Sequence, residues 1–188
     1  MTNAAQTDAA IAAAAADAVP MPILVAPHPV LRAKARDVRP EDMDEIRRVL
    51  PSMFAAMYEA PGIGLAAPQV GIGLRFVIVD LGEPEAREPM IMINPKVIAE
   101  AETLAAREEG CLSLPNQYAE VTRPEQVRVQ WQSVNGDVLE RDVDGLLATC
   151  IQHEIDHLEG VLFADHLSTL RRNMLLRRLA KEQKLKRK

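Results

Sequence analysis

Residues 145–160 determine how this chain is interpreted, and they read GLLATCIQHEIDHLEG. Apolar residues recur at helical spacing along this stretch, which predicts an α-helix. His153 and His157 are four residues apart, so their imidazoles lie one turn apart on the same face and can bind one metal ion. Glu154 follows the first histidine and is placed to accept a proton from a water molecule held by that metal. The stretch therefore predicts a hydrolytic metal site on a helix.

The third metal ligand has to come from outside this motif. Metzincins extend it to His-Glu-x-x-His-x-x-Gly-x-x-His, but this chain carries Phe163 at the last position, which excludes that class. A gluzincin-like metalloendopeptidase would use a downstream glutamate, and Glu159 and Glu182 follow the motif. Glu182 lies among lysines, which makes it a poor ligand, and His166 would require a sharp return of the chain.

Cys111 is the better candidate for the third ligand. It lies within residues 108–115, EEGCLSLP, where acidic and turn residues surround a single thiol. A free cysteine is most often an inert buried residue. One thiolate and two imidazoles, however, form the ligand set of a catalytic site with a fourth position left for water, whereas a structural site usually has four protein ligands. The thiolate favours Zn, Fe, Co or Ni over Mg or Ca.

A glycine-rich segment, GIGLAAPQVG, spans residues 62–71. It partly matches a dinucleotide-binding motif, which requires a strand before it and a helix after it. Here a helix is predicted before the segment and a strand after it, so we reject a dinucleotide site. The segment instead allows the backbone to approach a ligand closely, and the Gln69 amide can donate to an oxyanion.

The remaining hydrophobic pattern predicts an α+β fold, with antiparallel strands packed around the central metal-binding helix. An apolar stripe predicts a helix over 41–60. Pro51 should either kink this helix or mark a later start. Strands are predicted over 76–79, 90–93, 126–131 and 138–143. Asn94-Pro95 should end the second strand, and Asn135-Gly136 should form the hairpin turn before the last. An amphipathic basic helix is predicted over 167–185.

The composition is that of one globular domain. The chain has 188 residues, of which 48% are hydrophobic, and it contains no apolar run long enough to cross a membrane. Residues 1–20 are rich in alanine and lack lysine and arginine, which excludes a secretory or transit signal and predicts a mobile, dispensable leader. Residues 21–167 then form the catalytic domain. Without an export signal, Cys111 and Cys150 should stay reduced, as in a cytoplasmic protein.

Positive charge is concentrated at the C-terminal end of the chain. Residues 168–188 contain nine lysines and arginines and one glutamate, although the whole chain has a net charge of −5. We predict that this segment is a basic C-terminal helix of the same domain. A polyanionic partner and a solvated helix face explain the charge equally well.

Three segments together are similar to the three motifs of the peptide deformylase family: residues 62–71, residues 108–115 and residues 152–158 (QHEIDHL). Their order and spacing also match, and the similarity covers about residues 22–180, with a basic C-terminal helix like that of the bacterial type. The resemblance implies a metal-dependent hydrolase that removes the formyl group from the N-terminal formyl-methionine of newly made polypeptides. In this family the divalent metal is natively Fe²⁺, and Zn²⁺, Ni²⁺ or Co²⁺ can replace it.

By this resemblance, each motif contributes residues to the site. The metal ligands are Cys111, His153 and His157. Catalysis is attributed to Glu154, which moves the proton, and to Gln69 and the Leu112 backbone N–H, which stabilise the oxyanion. The substrate-binding residues are Ile63, Gly64, Glu109, Gly110, Leu146, Thr149 and Cys150. Gly64 and Gly110 present backbone groups to a peptide that is held as an added strand.

Two positions depart from the pattern of familiar deformylases. Arg107 and Thr149 stand where aliphatic residues are often found. Thr149 could narrow or polarise the wall of the methionine pocket, and Arg107 at its rim could favour acidic residues after the methionine. The resemblance also predicts that Glu109 pairs with Arg123, whereas Asp156 either orients a ligand histidine or forms a surface salt bridge.

Two alternative functions stay open at this point. One is a gluzincin-like metalloendopeptidase that uses Glu182, and the other is a ribosome-associated module whose metal is structural. For the deformylase we expect a cytoplasmic monomer whose basic C-terminal helix contacts ribosomal RNA near the nascent-chain exit. His28, Trp131 and His166 are predicted to be structural.

Overall fold

The computed structural model describes residues 3–84 and 86–186 and has the predicted α+β fold with antiparallel sheets. The helices are α1 Asn3–Ala13, α2 Met43–Glu59, α3 Gly145–Leu158 and α4 Thr169–Lys186. The strands are β1 Gly64–Ala66, β2 Phe76–Val79, β3 Met90–Glu100, β4 Leu104–Cys111, β5 Leu114–Pro124, β6 Gln126–Gln132 and β7 Val138–Asp144. One sheet has the order β1-β2-β3-β6-β7, and β4 and β5 form a second sheet.

Helix α3 lies between the strands, as the sequence predicted. It contacts strands of both sheets. Ala148, Ile151 and Leu158 are buried in one core cluster with Val77 of β2 and Val129 of β6. Because this apolar face is packed against the large sheet, the polar residues of the same helix are held in fixed positions beside the smaller sheet.

Helix α2 buries the apolar stripe that predicted it. Ile46, Leu50, Phe54 and Met57 are fully buried in a second core cluster. The helix begins at Met43 and continues through Pro51, so the proline does not mark its start. The hydrophobic face outweighs the local cost of a proline inside the helix.

Strand β3 corrects one predicted boundary. Asn94-Pro95 was expected to end this strand, but β3 continues to Glu100 with a register shift between Ile93 and Lys96. Asn94 adopts a positive φ of 50°, and its side-chain amide exchanges two hydrogen bonds with the Val38 backbone, at 2.8 and 2.9 Å. The dipeptide therefore forms a bulge, which bends the strand without ending it.

The β4–β5 hairpin was not predicted from the sequence. Its inward face carries the charged residues Glu109 and Arg123, both buried, whereas Leu104 and Tyr118 on the outward face are exposed. The usual alternation of apolar inside and polar outside is thus inverted at these positions, which hid the strand pattern. The hairpin matters for function because Cys111 is the last residue of β4.

The N-terminal segment, expected to be a mobile leader, forms a helix that packs on the rest of the structure, and its mobility stays a prediction. Helix α1 contacts α2 and β3, and Ala4, Ala12 and Ala15 are buried. The Asp8 carboxylate accepts a hydrogen bond from the backbone N–H of Ile91 at 3.0 Å. Small alanine side chains let the helix approach closely, which its composition alone did not reveal. Whether the segment is dispensable stays a prediction.

Helix α4 packs against the core with part of its apolar face. Leu175 and Leu179 are buried against the core cluster that contains Phe163, while Leu170 and Met174, predicted to lie on the same apolar face, are exposed. The Gln183 amide donates to the Ala26 carbonyl at 2.6 Å. None of the helices within residues 3–84 and 86–186 combines the length and the apolar character needed to cross a membrane.

Candidate metal centre and active site

The two histidines and the cysteine predicted as metal ligands come together at the junction of α3 and the β4–β5 hairpin. One nitrogen each of His153 and His157 and the sulfur of Cys111 all lie within 4.8 Å of one another. Cys111 Sγ is 3.2 Å from His157 Nε2. The helix supplies the histidines on adjacent turns, and the end of β4 supplies the thiol.

The chemistry of these residues fits one divalent transition metal. Glu109 Oε2 lies 2.8 Å from His153 Nδ1, which leaves the Nε2 atom of His153 for a metal. Burial lowers the pKa of His157 well below its ordinary value, so this imidazole is held in the neutral form that ligates metals. Two imidazoles and a thiol match the ligand set of catalytic Zn or Fe sites.

Behind His153, a chain of charged residues fixes the orientation of the ring. Arg123 contacts both carboxylate oxygens of Glu109, with Nε–Oε1 and Nη2–Oε2 distances of 2.6 and 3.0 Å. Glu109 is buried, which raises its pKa, but its hydrogen bonds to His153 and Arg123 outweigh burial and lower the pKa of Glu109 to about 2. Glu109 therefore stays ionised and holds the ligand histidine in place. The predicted pairing of Glu109 with Arg123 is confirmed.

Asp156 extends this chain and does not contact a ligand histidine. Its Oδ2 atom accepts from Arg123 Nη1 at 2.8 Å and lies 2.8 Å from His166 Nε2. Of the two roles predicted for Asp156, the salt bridge is the one found, although its partner Arg123 is buried. His166, predicted to be structural, joins the same chain.

Glu154 follows the ligand His153 on α3 and is shielded from solvent. Its side chain is buried, and Oε2 has no hydrogen-bond partner among the described residues. Burial raises the pKa of Glu154 to about 7, against the opposing charge of His153. A carboxylate with this pKa can accept and return a proton near neutral pH.

Gln69 is oriented by two neighbours so that its amide nitrogen faces the thiol ligand. The Ala66 N–H donates to Gln69 Oε1 at 2.8 Å, while Gln69 Nε2 donates to Ser113 Oγ at 3.2 Å and lies 3.6 Å from Cys111 Sγ. The fixed carbonyl end leaves the NH₂ group as a buried donor next to the metal ligands. This arrangement suits the stabilisation of negative charge on a substrate oxygen.

Comparison with known proteins supports the same interpretation. A family model described as polypeptide deformylase matches residues 20–173. The chain belongs to the polypeptide deformylase family. A peptide deformylase from Zymomonas mobilis is 50% identical over 171 residues, which cover 88% of this chain and 96% of that protein.

Solved structures of deformylases share this fold. A peptide deformylase from Legionella pneumophila is 39% identical with a TM-score of 0.83, and the match covers 90% of this chain and 99% of that one. A peptide deformylase from Synechococcus elongatus in complex with actinonin is 44% identical with a TM-score of 0.78, and the match covers 86% of each chain. The chain is therefore an enzyme of the deformylase family, and this family implies one divalent metal in the site.

Two of the predicted substrate-binding residues are glycines whose backbone lies close to neighbouring side chains. A Cβ atom on Gly64 would lie 2.5 Å from Glu154 Oε1 and 2.8 Å from Cys150 Sγ, so the β1 backbone runs directly along Glu154. Ile63 and Leu146 are exposed, which suits residues that meet a peptide. Gly110 also has no room for a side chain, because a Cβ there would lie 2.6 Å from the Tyr118 ring.

Three other predicted substrate residues have partners within the protein. The Thr149 hydroxyl donates to the Gly145 carbonyl at 3.1 Å, so it is satisfied inside α3. Burial raises the pKa of the Cys150 thiol, whose sulfur lies 3.6 Å from the Ile63 carbonyl. The Glu109 carboxylate is directed at His153 and Arg123. These contacts support the walls of the site from behind.

The alternative third ligands are engaged elsewhere. Glu182 contacts the side-chain amides of Asn116 and Gln117, at 3.5 and 3.3 Å. Glu159 forms ion pairs with Lys34 and Arg75. The metalloendopeptidase interpretation, which required Glu182 as a ligand, therefore finds no support in the geometry.

Sequence reasoning missed the supporting residues Ser113 and Ala66. Ser113 is fully buried and accepts from Gln69, and the Ala66 backbone fixes the carbonyl end of the same amide. Ser113 lies in the EEGCLSLP segment quoted above, so its position next to the thiol was a usable signal. Ala66 contributes its backbone N–H, which every residue except proline has, so its residue type could not predict this role.

Proposed function

We propose that this enzyme removes the formyl group from the formyl-methionine of newly made polypeptides, with one divalent metal held by Cys111, His153 and His157. The observation that supports this most directly is the convergence of these three ligand atoms within 4.8 Å beside the buried Glu154, on a deformylase scaffold. A structural metal would be enclosed by four protein ligands, whereas three are present here in the described part of the chain.

Each residue near the metal then has a distinct chemical role. A divalent metal held by Cys111, His153 and His157 would supply Lewis acidity to the formyl oxygen and to a water molecule. Glu154 takes the proton from that water as the water oxygen attacks the formyl carbon. Gln69 Nε2 and the Leu112 backbone N–H donate to the carbonyl oxygen as it gains negative charge. Glu154 returns the proton to the amine nitrogen when the C–N bond breaks, which releases formate and the free amino terminus.

The polypeptide is held by backbone contacts and by a pocket for the methionine. Gly64 and Gly110 present backbone groups to the extended peptide. Ile63, Leu146, Thr149 and Cys150 form the apolar surroundings of the methionine side chain. This arrangement places the N-terminal residue next to Glu154.

The metal in the cell is Fe²⁺, with Zn²⁺, Ni²⁺ or Co²⁺ as functional replacements. A thiolate ligand is compatible with all four ions. The protein acts as a cytoplasmic monomer, and the basic surface of α4 binds ribosomal RNA. The exposed cations on α4 support this last proposal, because Leu175 and Leu179 fix the helix to the domain and leave those cations facing solvent.

The deciding experiment measures deformylation of formyl-Met-Ala-Ala-amide by anaerobically purified, metal-loaded protein. The parent should turn the peptide over, and Glu154→Ala should lose roughly 10²- to 10⁴-fold in kcat while keeping its metal. Glu120→Gln, an exposed glutamate on β5, is the matched control and should keep parental activity. A folded, metal-loaded parent without turnover would refute the proposed function.

A further inference from the structure

Arg107 lies on the face of β4 that looks toward the metal centre. In an extended strand, alternate side chains share a face, so Arg107, Glu109 and Cys111 point to the same side. Exposure follows this alternation, since Arg107 is partly buried while Ala106 and Glu108 are exposed. Residues two apart are about 7 Å from each other along a strand, which places the stem of Arg107 close to the Glu109–His153 contact.

The guanidinium group of Arg107 lacks a counterion within residues 3–84 and 86–186. Its Nε atom is buried without a hydrogen-bond partner, and the nearby acids are already engaged. Glu109 is bound to His153 and Arg123, and Asp156 is bound to Arg123 and His166. A partly buried guanidinium without an acidic partner is unfavourable unless a carboxylate of a bound molecule pairs with it.

Arg123 on the neighbouring strand shows the contrast. It is paired with Ala105 in the β4–β5 register and so shares the inward face with Arg107. Its charge is neutralised by Glu109 and Asp156. The inward face of the hairpin therefore carries two arginines. Carboxylates neutralise the charge of Arg123, which supports the metal ligands, whereas the charge of Arg107 is not neutralised.

A peptide bound along β4 would pass Arg107. Strand β4 pairs only with β5 among the described strands, so its other edge is free to accept an added strand. The distance from Cys111 back to Arg107 is about 13 Å at strand spacing. A peptide with its formyl group at Cys111 has its second and third residues roughly 6 and 9 Å along this path, so the long side chain of Arg107 can reach a carboxylate on either of them.

We propose that Arg107 makes this enzyme prefer formylated peptides with a carboxylate side chain on the second or third residue. The inference rests on the proposed function, since it concerns the choice among its substrates. A charge-assisted contact at a partly buried site gives a preference of about five- to tenfold for Asp over Asn in kcat/KM. The preference weakens as the salt concentration rises, because the pair is partly screened.

The test compares formyl-Met-Asp-Ala-amide with its Asn counterpart, and formyl-Met-Ala-Asp-amide with its Asn counterpart. The amide end removes the terminal carboxylate as a competing partner, and the two pairs identify which residue Arg107 contacts. In Arg107→Met, the Asp/Asn ratio of kcat/KM should fall to about one, while Arg107→Lys should keep part of it. The ratio is measured within each variant, so a general loss of stability does not change it.

Arg141, an exposed arginine on β7, provides the matched control. Arg141→Met removes the same charge and should leave the Asp/Asn ratio at the parental value. The inference is overturned if the parent deformylates both peptide pairs with an Asp/Asn ratio of kcat/KM near one. It is also overturned if Arg107→Met keeps the parental ratio. Turnover of formyl-Met-Ala-Ala-amide by the parent separates that outcome from a failure of the proposed function itself.

Discussion

A side chain on Gly64 would collide with Glu154, and we therefore expect Gly64→Ala to impair activity. The new Cβ would lie 2.5 Å from Glu154 Oε1 and 2.8 Å from Cys150 Sγ, so Glu154 would have to move. A displacement of this size in a positioned catalytic group costs on the order of 10²-fold in kcat/KM. The metal ligands are not touched, so metal content should stay at the parental value. Steady-state kinetics and metal analysis measure both quantities.

Gly73→Ala is the control for this substitution. A Cβ on Gly73 would meet no atom within 4 Å, so this variant should keep both activity and metal. If Gly64→Ala were as active as Gly73→Ala, Glu154 would have more freedom than its burial indicates, and its role as the positioned proton carrier would be contradicted.

At the same scale, the metal ligands show what a sequence can and cannot reveal. His153 and His157 were predictable because helical spacing alone places them together. Cys111 was found by elimination of other ligands, since no local pattern links it to α3. The pairing of Glu109 with Arg123 followed only from family resemblance. The contact of Asp156 with His166 depends on the turn after α3, and nothing in the residue types specified it.

At the scale of elements, α1 docks through buried alanines and one buried carboxylate, Asp8. The pairing of β6 with β3 ends at Ile93. Beyond that residue, the Ile91 N–H of β3 donates to Asp8 Oδ2 at 3.0 Å. Burial raises the pKa of Asp8 from 3.8 to about 6. Because the pKa in the folded state is the higher one, α1 docking is most favourable below about pH 4 and weakens as the pH rises through about 6. The difference corresponds to roughly 3 kcal/mol at most.

We therefore expect hydrogen-exchange protection of α1 to be greater at about pH 5 than at about pH 7.5, after correction for intrinsic rates. Asp8→Asn removes the titrating group and should abolish this difference. Asp17→Asn changes an exposed aspartate of the same segment and should keep it. Equal protection of the parent at both pH values would contradict the prediction.

The elements also show why parts of the fold were not predictable. Strands β2, β6 and β7 carry ordinary apolar or alternating patterns, and α2 and α3 carry apolar stripes, so these were identified correctly. The β4–β5 hairpin buries Glu109 and Arg123, which reverses the expected alternation. The extension of β3 past Asn94-Pro95 depends on hydrogen bonds between the Asn94 amide and the backbone of Val38, a partner far away in sequence. Each error concerns a long-range polar contact, which a local pattern does not record.

At the scale of the whole molecule, charge is divided between an acidic body and the basic helix α4, and this division tests the ribosome proposal. We consider a variant in which four exposed cations of α4 are neutralised: Arg177→Gln, Arg178→Gln, Lys181→Gln and Lys184→Gln. Leu175 and Leu179 keep their buried positions, so the helix should stay folded, unlike a truncation after Leu167, which would expose that core. Turnover of formyl-Met-Ala-Ala-amide should be retained.

Binding of this four-site variant to ribosomes should be weaker and less sensitive to salt. Each lost contact with an RNA phosphate reduces the slope of log K against log salt concentration by about 0.7–0.9, so four lost contacts reduce it by about three. The matched control neutralises four exposed cations outside α4, namely Arg39, Arg48, Lys96 and Arg141. If both variants lose affinity equally, net charge explains the binding, and α4 has no special role. If only the α4 variant loses affinity and salt dependence, the helix itself is the contact, because both variants have the same net charge.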